Sequence, residues 1–415
     1  MAYELSSSIG SDKSVPHTFV EARVSTNTRG AFPNSQGTKI AGISFRHGGA
    51  SSTDNGIDIW KSGSSGWYEY ESIDTGGSRP RTLLWFSDSE ILAIQGDNKV
   101  HSYVSSSVSG WTTNYTSTSQ ASNAYHLRLS PNKTKLSVVP NFQTDASSNM
   151  DDTAVMYIYE SSSSGFIENN SYTAHGGKIT GVTFVNETNI IIGQPYYNSQ
   201  DGRIQHIQYD GSSWSHVRSC LGHSGGANST KQFGWSTYWH TPSNSLLVGA
   251  AGTANLFRMW VIPSQSSGYI PSSNPHNATG AEMVSNQNIL DSSRVDGFTP
   301  TNAYVASGVS LFSSNNESRL AGMTLPNVSH DDGRVFFTLE SGSSGWKFNQ
   351  FEDNGGNDGT ETRGIGQNIA SGNSSIFVGW VTGSVVGAPE GFTVYRLLSS
   401  GNSGGGGSGG GGSGG

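Results

Sequence analysis

Two stretches of the chain gather carboxylates closely enough to hold a hard cation. QTDASSNMDD (Gln143–Asp152) ends in Asp151 and Asp152, and EDNGGNDGTE (Glu352–Glu361) places Asp353 and Asp358 among amides and glycines. Oxygen-rich loops of this kind suit calcium, and each also reads as a solvated acidic turn. No cofactor-binding motif stands beside them. The 11 histidines are scattered, with no HExxH, no pair two apart in one strand and no Cys companion. His126, beside Tyr125 on an expected inner strand, either lines a central channel or is a hydrogen-bonded structural residue. The pattern GxSxG occurs at Gly222–Gly226 (GHSGG) and in the terminal Gly/Ser run, at Gly401–Gly405, Gly406–Gly410 and Gly411–Gly415, in each case without the strand–turn–helix setting a nucleophile needs. No glycine loop opens a helix, and helical periodicity is nearly absent. These residues point away from an enzyme.

The aromatic residues carry the other chemistry. Trp67 and Trp346 close identical hexapeptides, SGSSGW at Ser62–Trp67 and Ser341–Trp346. Related turns end at Trp111, Phe166, Trp214 and Tyr269. Trp67, Trp111, Trp214 and Trp346 therefore stand at equivalent positions of a repeat. They serve either to pack successive units or as stacking faces for sugar rings, with Ser, Asn and Asp nearby to hold a sugar's polar edge. Trp235 and Trp239, in WSTYW, share one face of an ideal strand because four residues is an even step.

Each turn needs a strand on either side, and the chain supplies them at a regular interval. An apolar strand begins at Ile40, Ile91, Leu136, Ile190, Leu246, Leu320 and Ile376, in steps of 51, 45, 54, 56, 74 and 56. Before most copies lies another strand, clearest in Thr82–Ser87, Tyr125–Pro131 and Ile179–Val185. After each comes a polar turn and a third strand, as in DNGIDIW (Asp54–Trp60) and DGRIQHIQY (Asp201–Tyr209), where Asp-Gly supplies the positive φ of a tight hairpin. The Ser/Gly turn and its aromatic then open a fourth strand. Four-stranded repeats at this period predict an all-β, seven-bladed β-propeller of antiparallel blades.

The last repeat lacks its fourth strand after Phe392–Gly401, and Ala2–Gly10 has a matching pattern. The expectation is that the N-terminal strand completes the C-terminal blade and removes an exposed edge. A single propeller then spans 1–402. Residues 271–308, polar and rich in Pro and Gly, form an inserted loop, and 403–415 read as an engineered Gly/Ser linker suited to carrying a fusion partner.

Composition narrows the partner. Charged residues make up 13% of the 415, glycine fills 55 positions and the net charge is -8. Without a Lys/Arg run, the chain is not expected to bind nucleic acid. It has no long apolar stretch to insert in a membrane and no signal peptide. Its single cysteine, Cys220, excludes an internal disulfide. Nine Asn-x-Ser/Thr sequons, Asn114 and Asn277 among them, are what an Asn-, Ser- and Thr-rich chain produces by chance.

The succession of apolar strand, Ser/Asn-rich turn, VxVY-like strand and SGSSGW resembles the FG-GAP-like propeller repeats, from Ala2 to about Gly401. His175–Asp210 also resembles a WD40 repeat, with His175 at the Gly-His position and Tyr209-Asp210 where Trp-Asp stands. Elsewhere that pair is Trp60-Lys61, Tyr159-Glu160 or Tyr395-Arg396. The DxDxDG loop through which integrin-type repeats bind calcium is absent. A sialidase would resemble repeated Asp boxes, but Ser51–Trp60 places its Trp one position late and is not repeated. Together these features imply a recognition or structural module, virion-associated or on an extracellular surface, with a protein or glycan partner. The alternatives are a propeller lectin with sugars at blade interfaces and an intracellular WD40-like scaffold.

Overall fold

A computed structural model describes the backbone from Phe19 to Leu397 apart from intervening segments, the longest being 46–54, 141–152, 223–232, 273–281, 286–303, 326–334, 354–368 and 382–389. Side chains are described for most of 32–272 and at Val394. The architecture is all-β and propeller-like: four-stranded antiparallel sheets follow one another along the chain. The first sheet runs Thr28–Pro33, Lys39–Phe45, Asn55–Gly63, Gly66–Asp74, and the second Thr82–Ser87, Glu90–Ile94, Val100–Ser106, Gly110–Thr116. The third is Ala124–Leu129, Lys135–Pro140, Thr153–Ser162, Gly165–His175, and the fourth Gly181–Asn186, Asn189–Gln194, Arg203–Tyr209, Trp214–Leu221. The fifth is Phe233–His240, Ser245–Ala251, Phe257–Pro263, Glu282–Ser285, and the sixth Tyr304–Leu311, Arg319–Leu325, Val335–Gly342, Gly345–Asp353. The last joins Ile369–Gly372, Ser375–Val381 and Glu390–Leu397 to Phe19–Thr26.

Burial explains why the sequence signal differs between positions in a sheet. Second strands are apolar without alternation because both faces are covered; NIIIGQ at Asn189–Gln194 is buried throughout. Fourth strands alternate, and much of Gly66–Asp74 faces solvent. The core lies between successive sheets. Ala41, Ile57 and Ile59 of the first pack with Leu83, Ile91 and Tyr103 of the second. Leu92, Ile94 and Val100 meet Leu127, Leu136 and Phe166. Each such Ile or Leu withdrawn from water stabilises the fold by about 1.5–3 kcal/mol.

Two features depart from the sequence reading. The strand beside Glu390–Leu397 is Phe19–Thr26, in register from Phe19↔Leu397 to Thr26↔Glu390; Ala2–Gly10 lies outside the described residues. FVEARVST alternates apolar and polar residues as an outer strand should. The second departure is in the fifth sheet, where Tyr269 does not open the fourth strand. Its turn closes on a Gln265↔Gly268 bridge, and the fourth strand is Glu282–Ser285. The segment 271–308, expected as a loop, thus supplies one whole strand and the start of Tyr304–Leu311.

Candidate recognition surface

In a four-stranded meander the connections fall alternately at the two ends of the sheet. At one end, joining first to second and third to fourth strands, they are short: 34–38, 64–65, 88–89, 107–109, 130–134, 163–164, 187–188 and 210–213. At the other end lie 46–54, 141–152, 195–202, 222–232, 286–303, 354–368 and 382–389. The exceptions are 264–281 and 312–318, long connections at the short end, and 27, 95–99, 176–180 and 252–256, short connections at the long end.

The short turns are tied to one another across sheets. Asn34 Nδ2 donates to Asp88 Oδ1 at 2.9 Å, and Lys39 Nζ to the Asp88 carbonyl at 2.9 Å. Lys133 Nζ donates to the Phe86 carbonyl. Glu187 accepts from the Asn132 backbone N–H at 2.7 Å and from the Thr134 hydroxyl. Those bonds hold the Glu187 carboxyl below the usual range against an opposing desolvation that is the largest single influence. Asn186 Nδ2 reaches the Tyr269 hydroxyl at 3.1 Å. The Ser/Gly turns join the same scheme: a Cβ on Gly165, where φ is +103°, would stand 2.5 Å from the Tyr115 ring of the preceding sheet. This end is committed to holding sheets together.

The long-connection end of the fourth and fifth sheets carries a polar and aromatic node. Arg203 lies over the Tyr197 ring, 3.8 Å from its centroid. Its Nε donates to Gln194 Oε1 at 2.8 Å and its Nη2 to the His175 carbonyl. Gln194 Nε2 in turn donates to the Gly177 carbonyl at 2.7 Å. Desolvation lowers the Arg203 pKa, so its charge is held by fixed dipoles and ring electrons rather than by water. Tyr196 meets Trp235 edge to face at 6.0 Å. Half-buried Tyr196, Tyr197 and Trp235 therefore present aromatic surface on a rigid base.

The aromatic residues expected to bind fall elsewhere. Trp67 is 2% and Trp214 6% exposed, so protein covers their faces, and Trp214 leans on Tyr209 at 5.2 Å. Trp111 is half-buried, edge to face with Trp85, and its Nε1 donates to Glu71 Oε2 at 2.5 Å. Trp111 and Trp214 join neighbouring sheets, and buried Trp67 offers no open face. Trp346, His126 and Asp353 lie on strands whose side chains at those positions are outside the described residues, as are Asp151, Asp152 and Asp358 altogether. Among the described residues no three His, Cys, Asp or Glu side chains gather as a metal site, and no helix is long and apolar enough to cross a membrane. Trp235 and Trp239 are separated by a bulge between Phe233 and Ser236. Trp239 packs instead on Tyr269, at 5.4 Å.

Comparison with known proteins adds a fold and no name. No family model and no curated protein matches the chain. Among solved structures, a protein from Lactobacillus plantarum determined by a structural genomics consortium is similar over 83% of this chain and 94% of its own, with a TM-score of 0.52 and 12% identity. At that identity the likeness concerns the arrangement of sheets alone.

The Arg203 node was missed in the sequence because Gln194, Arg203 and His175 are far apart and individually ordinary. One signal was available: Arg203 and Gln205 alternate with the isoleucines of RIQHIQY, and buried polar groups require partners.

Proposed function

We propose that the chain is a non-enzymatic recognition module, a closed seven-bladed propeller that presents its long-connection end to a protein or glycan on a particle or cell surface. Closure is supported by the first strands, which lie against one another in succession and bring Thr28–Pro33 against Ile369–Gly372, and by the pairing of Phe19–Thr26 with Glu390–Leu397. The FG-GAP-like repeat is the sequence resemblance that fits this ring. The observation that carries the function is the inequality of the two ends. One is consumed by turn-to-turn bonds, while the other collects the long connections, and binding residues concentrate on such loops when a rigid scaffold holds them.

The experiment is segment replacement. The connections 46–54, 141–152 and 223–232 are exchanged, one at a time, for Gly/Ser runs of equal length, and labelled protein is applied to a glycan array and to intact cells and virions. Loss of adhesion from one or more exchanges, with Asn34→Ala and Asp88→Ala adhering normally, is the expected pattern. Unchanged adhesion in every exchange, or none by the parent chain, overturns the reading. Hits confined to the array favour a lectin, for which Tyr196, Tyr197 and Trp235 are the stacking surface. Calorimetric titration with calcium tests the Asp151–Asp152 and Asp353–Asp358 clusters directly.

A further inference from the structure

Charge in this chain is sorted by strand position. The first strands, TRGAFP, TLLWFS, AYHLRL, GVTFVN, FGWSTYWH, YVASGVSL and IASG, contain no Asp or Glu, and their full cations are Arg29 and Arg128. Carboxylates occur on all the other strand positions: Glu90 on a second strand, Asp58, Glu160, Glu340 and Glu390 on third strands, and Glu69, Glu71, Asp74, Glu168, Glu352, Asp353 and Glu21 among those on fourth strands. A chain of net charge -8 thus keeps the inner edge of its sheets free of negative side chains.

Arg128 is where this becomes a site. On Ala124–Leu129, Leu127 is buried and Leu129 packs partly into the core between the second and third sheets, whereas Arg128 between them is accessible to water. Protein nevertheless surrounds it closely enough that desolvation lowers its pKa, and no carboxylate contributes. Ala124–Leu129 lies against Thr82–Ser87 and Gly181–Asn186, the first strands of the sheets on either side, so a wetted side chain on it stands at the inner edge of the sheets. Among the described residues its hydrogen-bond partner is the Leu127 carbonyl, 3.0 Å from Nη1. The other N–H donors of its planar fork have no protein acceptor there.

We propose that the passage ringed by the first strands binds a small oxyanion, a carboxylate or a phosphate, on the Arg128 guanidinium. The inference rests on the closed ring proposed above. A low-dielectric wall focuses the field of a cation on the axis, and the guanidinium fork matches two oxygens of either anion.

The test is isothermal titration calorimetry with inorganic phosphate and, separately, citrate, at constant ionic strength, on the parent chain, Arg128→Gln and Arg128→Lys. Saturable binding is expected for at least one anion, and which one identifies the source. Arg128→Gln weakens it about tenfold or more, the range of a lost charge-assisted hydrogen bond. Arg128→Lys falls between, keeping the charge and losing the fork. No saturable heat with either anion, or equal affinity in parent and Arg128→Gln, overturns the site; near-UV circular dichroism verifies that each variant is folded. Failure of the ring reads out separately: small-angle scattering of the parent chain then lacks the profile of a closed disc. A disc that binds neither anion retires the passage site alone.

Discussion

His206 gives the most quantitative handle on this fold. It is 5% exposed, and its Nε2 contacts Asn189 Oδ1 at 2.7 Å. The Tyr269 ring stands edge-on at 5.2 Å. Desolvation first, then the nearby positive charge of Arg218 and the His216 ring, lower its pKa from 6.5 to about 4. The sign follows from proton counting: between those values the unfolded chain binds a proton that the folded chain does not, so stability rises with pH there. The penalty is absent well above 6.5, grows as the pH falls and is complete below about 4. Integrating the two titrations gives roughly 2 kcal/mol lost between pH 7.5 and pH 5 from this residue alone. Other groups titrate in the same window, so the informative quantity is a difference. His206→Gln keeps a donor toward Asn189 and cannot titrate. Urea unfolding followed by tryptophan fluorescence, at both pH values, should find that the parent chain loses about 2 kcal/mol more than the variant. Parallel losses, within about 0.5 kcal/mol, would refute the claim that His206 is held neutral by burial.

Three further outcomes follow from close contacts and pairing. A Cβ at Gly193 would stand 1.9 Å from the Gly234 carbonyl oxygen, where the fourth and fifth sheets approach backbone to backbone. Gly193→Ala should lower stability by about 1–3 kcal/mol in thermal melts, and an unchanged melt contradicts that approach. Cys220 is fully buried, and desolvation raises its thiol pKa far above the ordinary value. It should resist iodoacetamide at pH 8 until denaturant is added, and rapid labelling of the native chain would contradict its placement. Truncation through residue 12 should leave the melting temperature within a few degrees of the parent, whereas truncation through Thr26 should lower it sharply. Equal melts for the two truncations would argue against Phe19–Thr26 as the closing strand.

The repeat was legible because its physics is local. Ile40, Ile91, Leu136, Ile190, Leu246, Leu320 and Ile376 each fall within a second strand, whose two covered faces demand an unbroken apolar run. Gly66, Gly110 and Gly165 open their fourth strands as the turn chemistry requires, each at positive φ. What failed was non-local. The turn before Tyr269 matches the others in sequence, yet Tyr269 is drawn between Trp239, His206 and Asn186, and only the contents of the neighbouring sheet reveal that. Trp67 and Trp214 were readable as either packing or binding residues because aromatic type does not specify which face is covered. The Arg203 node joins residues brought together by pairing between strands, which no window of sequence contains.

The pairing of Phe19 with Leu397 sets a direction for anything attached to the chain. Because the two strands are antiparallel, the stretch entering at Phe19 and the stretch leaving at Leu397 emerge side by side, at the end of the sheet where the short turns lie. A cargo joined beyond Leu397 is thereby tethered at the end opposite the long connections. The same proximity lets a short bridge join the two strands while new termini are cut elsewhere. The turn 107–109, with Val108 95% exposed at its tip, is a natural place to open a circular permutant.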